Sequence, residues 1–194
     1  MPANVRAYRM KYFVEEVRKR AGEKGVRELE EEYGSLDFSA KRIYSEEENI
    51  ALIKAIAKVL FGVVDRNSLY EVGGILAQRE TESMIMKIGF RTISAKNLFR
   101  GMLFNPAVLK MIEMAIPKFA PSLKVSVTNP DLQTLVVTFF DTKMPAAVYE
   151  GEWYQLFTYL CGSVAVSSKK LSDNNFSIII KSDRFAQISQ HVSQ

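Results

Sequence analysis

The sequence predicts an α+β fold in which N-terminal helices pack against a C-terminal antiparallel sheet of about four strands, interrupted by one helix. Two observations favour this class. Apolar residues recur at helical spacing through most of residues 1–120, and from Leu123 onward they alternate with polar residues instead. A run of helices followed by a run of strands is typical of α+β proteins.

The size and composition of the chain predict one domain. It has 194 residues, of which 47% are hydrophobic and 25% are charged. We expect a single domain over residues 1–194, with a mainly helical part over 1–120, a sheet part over 121–185 and a polar tail over 186–194. The N-terminal residues lack the apolar core that is typical of a signal peptide, and no apolar run reaches the ~18 residues that a membrane span needs, so we expect neither. The single cysteine suits a reducing compartment, so the sequence predicts a cytoplasmic protein.

Glycine and proline delimit the outer helices of the helical part. Amphipathic spacing predicts a first helix over 6–22, broken at Gly22, and a shorter second helix over 26–33. The last helix of this part covers 105–116 and stops at Pro117.

Two capping boxes predict the helices between them. Ser45 and Glu48 have the spacing at which a hydroxyl and a carboxylate satisfy each other's backbone amides, and they open a helix that runs through Phe61. Ser68 and Glu71 have the same spacing and predict the start of the next helix.

In the sheet part, a period of two predicts strands and a period near 3.6 predicts a helix. The residues Asn129-Pro130-Asp131 predict a hairpin turn. The predicted elements are strands over 123–128 and 133–141, a helix over 148–161, and strands over 164–170 and 176–181.

Side chains that carry chemistry are scarce. The only histidine is His191 in the tail, and the only cysteine, Cys161, lies among apolar residues that predict a buried thiol. This excludes Ser-His and Cys-His nucleophile pairs, His-rich zinc sites and His-ligated haem from the body of the chain. Glu150 and Glu152 have no evident second acid across a cleft. The sequence therefore predicts a protein that is not an enzyme and holds neither metal nor cofactor.

The charge pattern argues against a nucleic-acid partner. The net charge is only +4, and basic residues 18–20 are interleaved with acidic residues 30–32 and 46–48. A nucleic-acid site would gather one sign on one face and add aromatic side chains for stacking.

Two features have more than one interpretation. Gly73 and Gly74 lie inside a predicted helix, where they indicate either close helix–helix packing or the close approach of a ligand or partner backbone. Asp141 and Lys143 follow the second strand, where they indicate either a charge pair used by a buried site or, the interpretation we favour, an exposed salt bridge at the hairpin edge.

The order of the elements and the stretch Ile43-Tyr44-Ser45-Glu46-Glu47 resemble the haem nitric oxide/oxygen-binding (H-NOX) domains over nearly the whole chain. The resemblance extends to haem-free relatives. These are an uncharacterised myxobacterial paralogue family and, more distantly, the 4-vinyl-reductase-like ligand-binding domains and transport-particle subunits of the same general fold.

The haem-holding residues of that family have no counterparts here. Its proximal histidine lies eight residues before the proline that ends its helix, and the residue eight positions before Pro117 is Leu109, which cannot ligate iron. Its Tyr-x-Ser-x-Arg motif, which holds the haem propionates, falls on Phe139, Asp141 and Lys143. Lys143 keeps a positive charge but lacks the planar fork of arginine. The resemblance therefore implies a member of the haem-free branch.

The predicted function is that of a haem-free small-molecule-binding or sensory module that signals to a protein partner. Its ligand would be small and apolar or amphipathic, in a pocket between the 105–116 helix and the strand that contains Phe139. The candidate lining residues are Leu109, Met111, Phe139 and Lys143. The alternative is a protein–protein interaction or scaffold module with a filled core and no ligand. A homodimer stays open.

Overall fold

The computed structural model describes residues 4–39, 43–88, 109–110, 113–114, 123–183 and 185, and it confirms the predicted α+β class. The elements are β1 (Asn4–Arg6), α1 (Ala7–Tyr33), β2 (Ile43–Ser45), α2 (Glu46–Phe61), α3 (Arg66–Ile88), β3 (Lys124–Asp131), β4 (Thr134–Phe140), α4 (Ala146–Cys161), β5 (Ala165–Ser172) and β6 (Asn175–Lys181). The main sheet is antiparallel in the order β3-β4-β6-β5, and β1 pairs with β2. Within these residues, no helix is both long and apolar enough to cross a membrane.

In the helical half (residues 4–88), α2 follows its predicted boundaries, and α1 joins the two helices predicted over 6–22 and 26–33 into one. The backbone of α1 kinks at Gly22, where φ is 66°, so its two segments meet where a break was expected. At the start of α2, the Ser45 hydroxyl accepts the Glu48 N–H at 3.1 Å and the Glu48 carboxylate accepts the Ser45 N–H at 2.8 Å. This is the predicted capping box, and the helix ends at Gly62 in the left-handed conformation.

The predicted start of α3 is wrong by one turn. The helix begins at Arg66, because the Asp65 carboxylate accepts the Ser68 N–H at 2.8 Å and the Ser68 hydroxyl accepts the Asp65 N–H at 2.9 Å. Asp65 is therefore the N-cap residue, and Ser68 is its capping-box partner in the first turn of the helix. A charged carboxylate at the N-cap also interacts favourably with the helix dipole, which explains why Asp65 holds the cap position.

The predicted hairpin turn at 129–131 is also wrong. Strand β3 continues through Asp131 with an irregularity after Thr128, and the turn falls on 132–133. Pro130 fits the irregular stretch because proline has no N–H to give to a strand ladder. The Asp131 carboxylate accepts the Gln133 N–H at 2.8 Å and so fixes the turn.

The remaining differences concern element ends and very short strands. Helix α4 starts two residues before its predicted start, and β5 extends to Ser172. Strands β1 and β2 were not predicted, because three residues are too few to show a period of two. Most of the predicted helix over 105–116 and all of the 186–194 tail lie outside the described residues.

One face of the sheet forms the core against α4. Alternate residues of β4 and β6 point to this face and are buried: Leu135, Val137, Phe139, Phe176, Ile178 and Ile180. Trp153 and Phe157 of α4 are buried in the same cluster, with ring centroids 5.7 Å apart. Helix α4 thus lies between the sheet and α3.

Helix α3 crosses α4 at glycines. A Cβ atom on Gly73 would overlap the backbone carbonyl of Val148, and one on Gly151 would overlap the carbonyl of Tyr70. A Cβ on Gly74 would meet only the Gly151 oxygen, at an ordinary 3.8 Å. The helix–helix packing interpretation is therefore confirmed for Gly73, whose partner backbone belongs to the chain itself.

Candidate functional site

The structure describes three of the four predicted lining residues. Leu109 and Phe139 are both buried in the core. The side chain of Lys143 is 61% exposed, and its Nζ lies 3.0 Å from the Glu47 carboxylate. Met111 lies outside the described residues. The pocket that these four residues would line together stays a prediction.

Phe139 belongs to an aromatic stack with Tyr149 and Phe176. Its ring centroid lies 4.2 Å from that of Tyr149, with 20° between the planes, and 5.3 Å from that of Phe176, with 25° between the planes. The three residues come from β4, α4 and β6, so the stack ties α4 to the middle of the sheet. We refer to these residues as the aromatic stack.

Tyr149 also borders the charged residues of the helical half. Burial raises the pKa of its phenol well above the usual range, and the carboxylates of Glu152 and Glu46 act in the same direction. Arg9 and Thr142 oppose this shift. The phenol therefore keeps its proton at physiological pH.

The predicted salt bridge at the hairpin edge is formed by Asp141, with Lys124 rather than Lys143 as its partner. Asp141 adopts a left-handed conformation with φ of 55°, and its carboxylate lies 3.0 Å from Lys124 Nζ. Lys143 reaches Glu47 instead. The turn at Asp141 directs the residue between them, Thr142, into the interior, which separates the two charges.

Thr142 joins the sheet half (residues 123–185, which include α4) to the start of α2. Its hydroxyl donates to the Glu46 carboxylate, whose second oxygen accepts the Lys143 N–H at 3.1 Å. The Thr142 hydroxyl oxygen in turn accepts the Met144 N–H at 3.2 Å. Glu46 is only 2% exposed, so this carboxylate depends on protein donors rather than on water.

A second contact between the halves joins α1 to α4. The Arg9 guanidinium forms an ion pair with the Glu152 carboxylate, and both side chains are largely buried. The Arg9 guanidinium carbon also lies 5.8 Å from the centre of the Phe13 ring. We call the four residues Arg9, Glu46, Thr142 and Glu152 the clasp. The clasp connects both N-terminal helices to the segment from the end of β4 into α4.

Sequence reasoning missed the clasp. Glu46 stands among three acids at the start of α2, and all three suit a helix N-terminus equally well. Thr142 stands between Asp141 and Lys143, and the sequence predicts a role for that charge pair but none for the threonine. The left-handed φ of Asp141 turns Thr142 inward. The one sign of this turn in the sequence is the aspartate itself, because aspartate adopts the left-handed conformation more readily than most residues.

The haem-holding positions do not fit a haem held as in the H-NOX resemblance. Leu109 offers no ligand atom, and the Phe139 ring is engaged in the aromatic stack. Asp141 pairs with Lys124 and Lys143 pairs with Glu47, both at the surface, so neither faces the interior. The buried charged group beside Thr142 is the Glu46 carboxylate, which would repel a propionate.

The described residues contain no group of three or more His, Cys, Asp or Glu side chains placed to hold a metal ion. Cys161 is fully buried, as predicted, in the core cluster with Phe157.

Comparison with known proteins finds structural relatives only. No family model and no curated protein matches the sequence. An H-NOX protein from K. algicida, in its Fe(II) unliganded state, matches with a TM-score of 0.62 and 13% identity, over 91% of this chain and 96% of that chain. A variant of the T. tengcongensis H-NOX protein matches with a TM-score of 0.62 and 12% identity, over 91% and 97%. The chain therefore has an H-NOX-like fold.

Proposed function

We propose that this chain is a haem-free, non-catalytic module of the H-NOX-like fold that binds or senses a small apolar or amphipathic ligand and signals to a protein partner. We place it in the haem-free branch that its sequence resembles, and in the cytoplasm because its only cysteine cannot form an internal disulfide. The observation that carries the proposal is the state of the haem-holding positions. Leu109 and Phe139 are buried and apolar, while Asp141 and Lys143 are engaged at the surface.

The ligand site that we propose lies between the 105–116 segment and β4. On the sheet side, the aromatic stack forms the wall of this site, because the Phe139 ring packs against both Tyr149 and Phe176. Leu109 belongs to the opposite wall. With no charged side chain of the 139–143 segment turned toward this region, an apolar ligand is favoured over an anionic one.

The clasp supports a signalling role for the module. Buried ionic groups lose hydration, so they contribute less to stability than their contacts indicate. We infer that the clasp instead specifies how the two halves fit together. Tyr149 belongs to the aromatic stack and also lies near Glu46 and Glu152. A ligand that displaces the Phe139 ring would therefore move a group that borders the clasp.

Native mass spectrometry of the freshly purified protein, compared with its denatured mass, tests the proposal. We expect a stoichiometric excess mass that disappears on denaturation and belongs to an apolar or amphipathic compound. An excess that matches haem would contradict the haem-free assignment. No excess mass, after the protein has also been offered a panel of small apolar compounds, would favour the alternative function.

That alternative is a protein–protein interaction or scaffold module with a filled core, and the tight aromatic stack favours it. The substitution Leu109→Trp distinguishes the two functions. If a pocket lies beside Leu109, the indole fills it, abolishes the excess mass and changes stability little. In a filled core, the larger side chain costs about 1–3 kcal/mol. Leu135→Trp is the matched control, because Leu135 lies in the sheet core and should be destabilised in either case.

A further inference from the structure

The main sheet has two outer edges, and they differ. At the β3 edge, the Val127 N–H donates to the Glu113 carboxylate at 2.7 Å, so this N–H points away from β4 and is already occupied. Pro130 interrupts the same edge, because it has no N–H to offer to an added strand. Residues of the chain itself therefore protect the β3 edge against further pairing.

The β5 edge carries no such protection within the described residues. Strand β5 has eight residues and no proline, and β6 is the one strand that pairs with it there. Its residues are exposed apart from Val166 and Ser168, which are half-buried. The outer side of β5 therefore presents N–H and C=O groups on which an extended segment can pair.

Two neighbouring lysines lie on this edge, one on each face of the sheet. Lys170 pairs with Phe176 of β6, whose ring lies in the core, so Lys170 is on the face that α4 covers. Lys169 pairs with Ser177 and is on the opposite face. The Nζ of Lys170 lies 2.8 Å from the Asp173 carboxylate, which is 95% exposed, and a surface pair of this kind contributes little.

The charge of the edge decides which strand it favours. The β5–β6 hairpin over residues 165–181 contains three lysines and one aspartate, so its net charge is +2. A second copy of this chain would bring the same positive charge to the edge and is therefore disfavoured. A segment that carries carboxylates is favoured, because opposite charges across a strand pair stabilise it.

We propose that the free edge of β5 is the surface on which this chain binds its protein partner, by adding an extended acidic segment of that partner as a fifth strand. Consecutive residues of a strand point to opposite faces, so the two residues opposite Lys169 and Lys170 are neighbours in the partner and both acidic. The inference rests on the signalling role proposed above. Its test needs no small ligand, so either proposal can fail while the other stands.

Titration of the full chain with the acetylated and amidated hexapeptide Thr-Val-Glu-Glu-Val-Thr, followed by ¹H–¹⁵N NMR, tests the surface. We expect saturable shifts along residues 165–172 and none along β3. The same peptide N-methylated at its four central residues keeps both carboxylates but loses the N–H donors of the ladder, so it should bind at least tenfold more weakly. The hexapeptide Thr-Val-Lys-Lys-Val-Thr should not bind.

A charge reversal tests the two lysines directly. The double variant Lys169→Glu/Lys170→Glu should bind the Glu-Glu peptide at least tenfold more weakly and should acquire affinity for the Lys-Lys peptide. Both lysines are exposed, so the variant should fold as the parent does. The matched control is Lys24→Glu/Lys54→Glu, which reverses two exposed lysines on α1 and α2 and should leave peptide binding unchanged.

The proposal is overturned if the Glu-Glu peptide produces no saturable shifts along β5, or if its N-methylated form binds as tightly, which would show charge attraction without strand pairing. Equal binding of the Glu-Glu peptide by the parent and the charge-reversed variant would also overturn it. Shifts along β5 that depend on protein concentration alone would assign the edge to a second copy instead. Peptide binding by a chain that shows no excess mass would support this surface and count against the ligand pocket alone.

Discussion

The aromatic stack and the clasp meet at Tyr149, yet they are built from opposite kinds of contact. The stack joins three rings of the sheet half, from β4, α4 and β6, at centroid distances of 4.2 to 5.8 Å. The clasp joins charged and hydroxyl groups across the two halves. Apolar burial stabilises roughly in proportion to its area, whereas buried charges pay for their contacts with lost hydration. The stack should therefore dominate stability, and the clasp should set how the halves are placed.

Removal of the most buried ring of the stack, Phe139, should have the largest effect. Phe139→Ala should lower the free energy of unfolding by about 3–5 kcal/mol, because a ring that is 1% exposed leaves a cavity among its neighbours. Urea denaturation measures the loss. Phe140→Ala is the matched control: its ring is half-exposed, so its loss should stay below about 1 kcal/mol. Equal losses in the two variants would contradict the role given to the stack.

The crossing of α3 and α4 can be tested with two glycine substitutions, of which one should lower stability and the other should leave it unchanged or raise it. Gly73→Ala should cost about 1–3 kcal/mol, because its Cβ would overlap the Val148 backbone and force α3 and α4 apart. Gly74→Ala has room for its Cβ and should be neutral or stabilising by up to about 1 kcal/mol through helix propensity. Urea denaturation of both variants checks the pair, and destabilisation by Gly74→Ala as large as by Gly73→Ala would argue against the crossing.

Loss of one clasp hydroxyl should have a smaller but specific effect. Thr142→Val keeps the shape of the side chain and removes the donor to Glu46, which should cost about 1–3 kcal/mol because a buried carboxylate loses a partner. Thr128→Val on the exposed surface of β3 should change stability by less than about 0.5 kcal/mol. Chemical denaturation at neutral pH compares them. If both variants unfold at the same denaturant concentration, the clasp has no energetic role.

Tyr149, where the stack and the clasp meet, should make the free energy of unfolding depend on pH in the alkaline range. Because its pKa is raised in the folded protein, the folded state keeps the phenol proton after the unfolded state has released it above about pH 10. The unfolded state then binds fewer protons, so this residue makes stability fall as pH rises, by about 1.4 kcal/mol per pH unit. Tyr149→Phe should reduce the alkaline slope by that amount, as measured by denaturation between pH 10 and 11.5. An unchanged slope would show that Tyr149 ionises freely in the folded protein.

The fold was largely predictable because its signals are local. The Ser45 capping box and the alternation in β4 depend on neighbours a few residues away, and the structure confirms both. The start of α3 was missed because Asp65 and Ser68 compete for the same cap, and only the hydrogen bonds decide between them.

The clasp could not be predicted because it depends on contacts between distant parts of the chain. Glu46 and Thr142 are 96 positions apart, and Arg9 and Glu152 are 143 apart. The sequence pattern around each residue is that of an ordinary surface group. These groups are buried where the N-terminal ends of α1 and α2 meet residues 142 and 152, a contact that no local pattern encodes.

The measurement that tests the account most directly is a titration of the full chain with haemin, followed by absorption in the Soret region and by native mass spectrometry. The account predicts no stoichiometric complex, because Leu109 has no ligand atom and the 139–143 segment holds no propionate site. A saturable one-to-one haem complex with a sharp Soret band would contradict it, and would mean that haem is held by residues outside those positions.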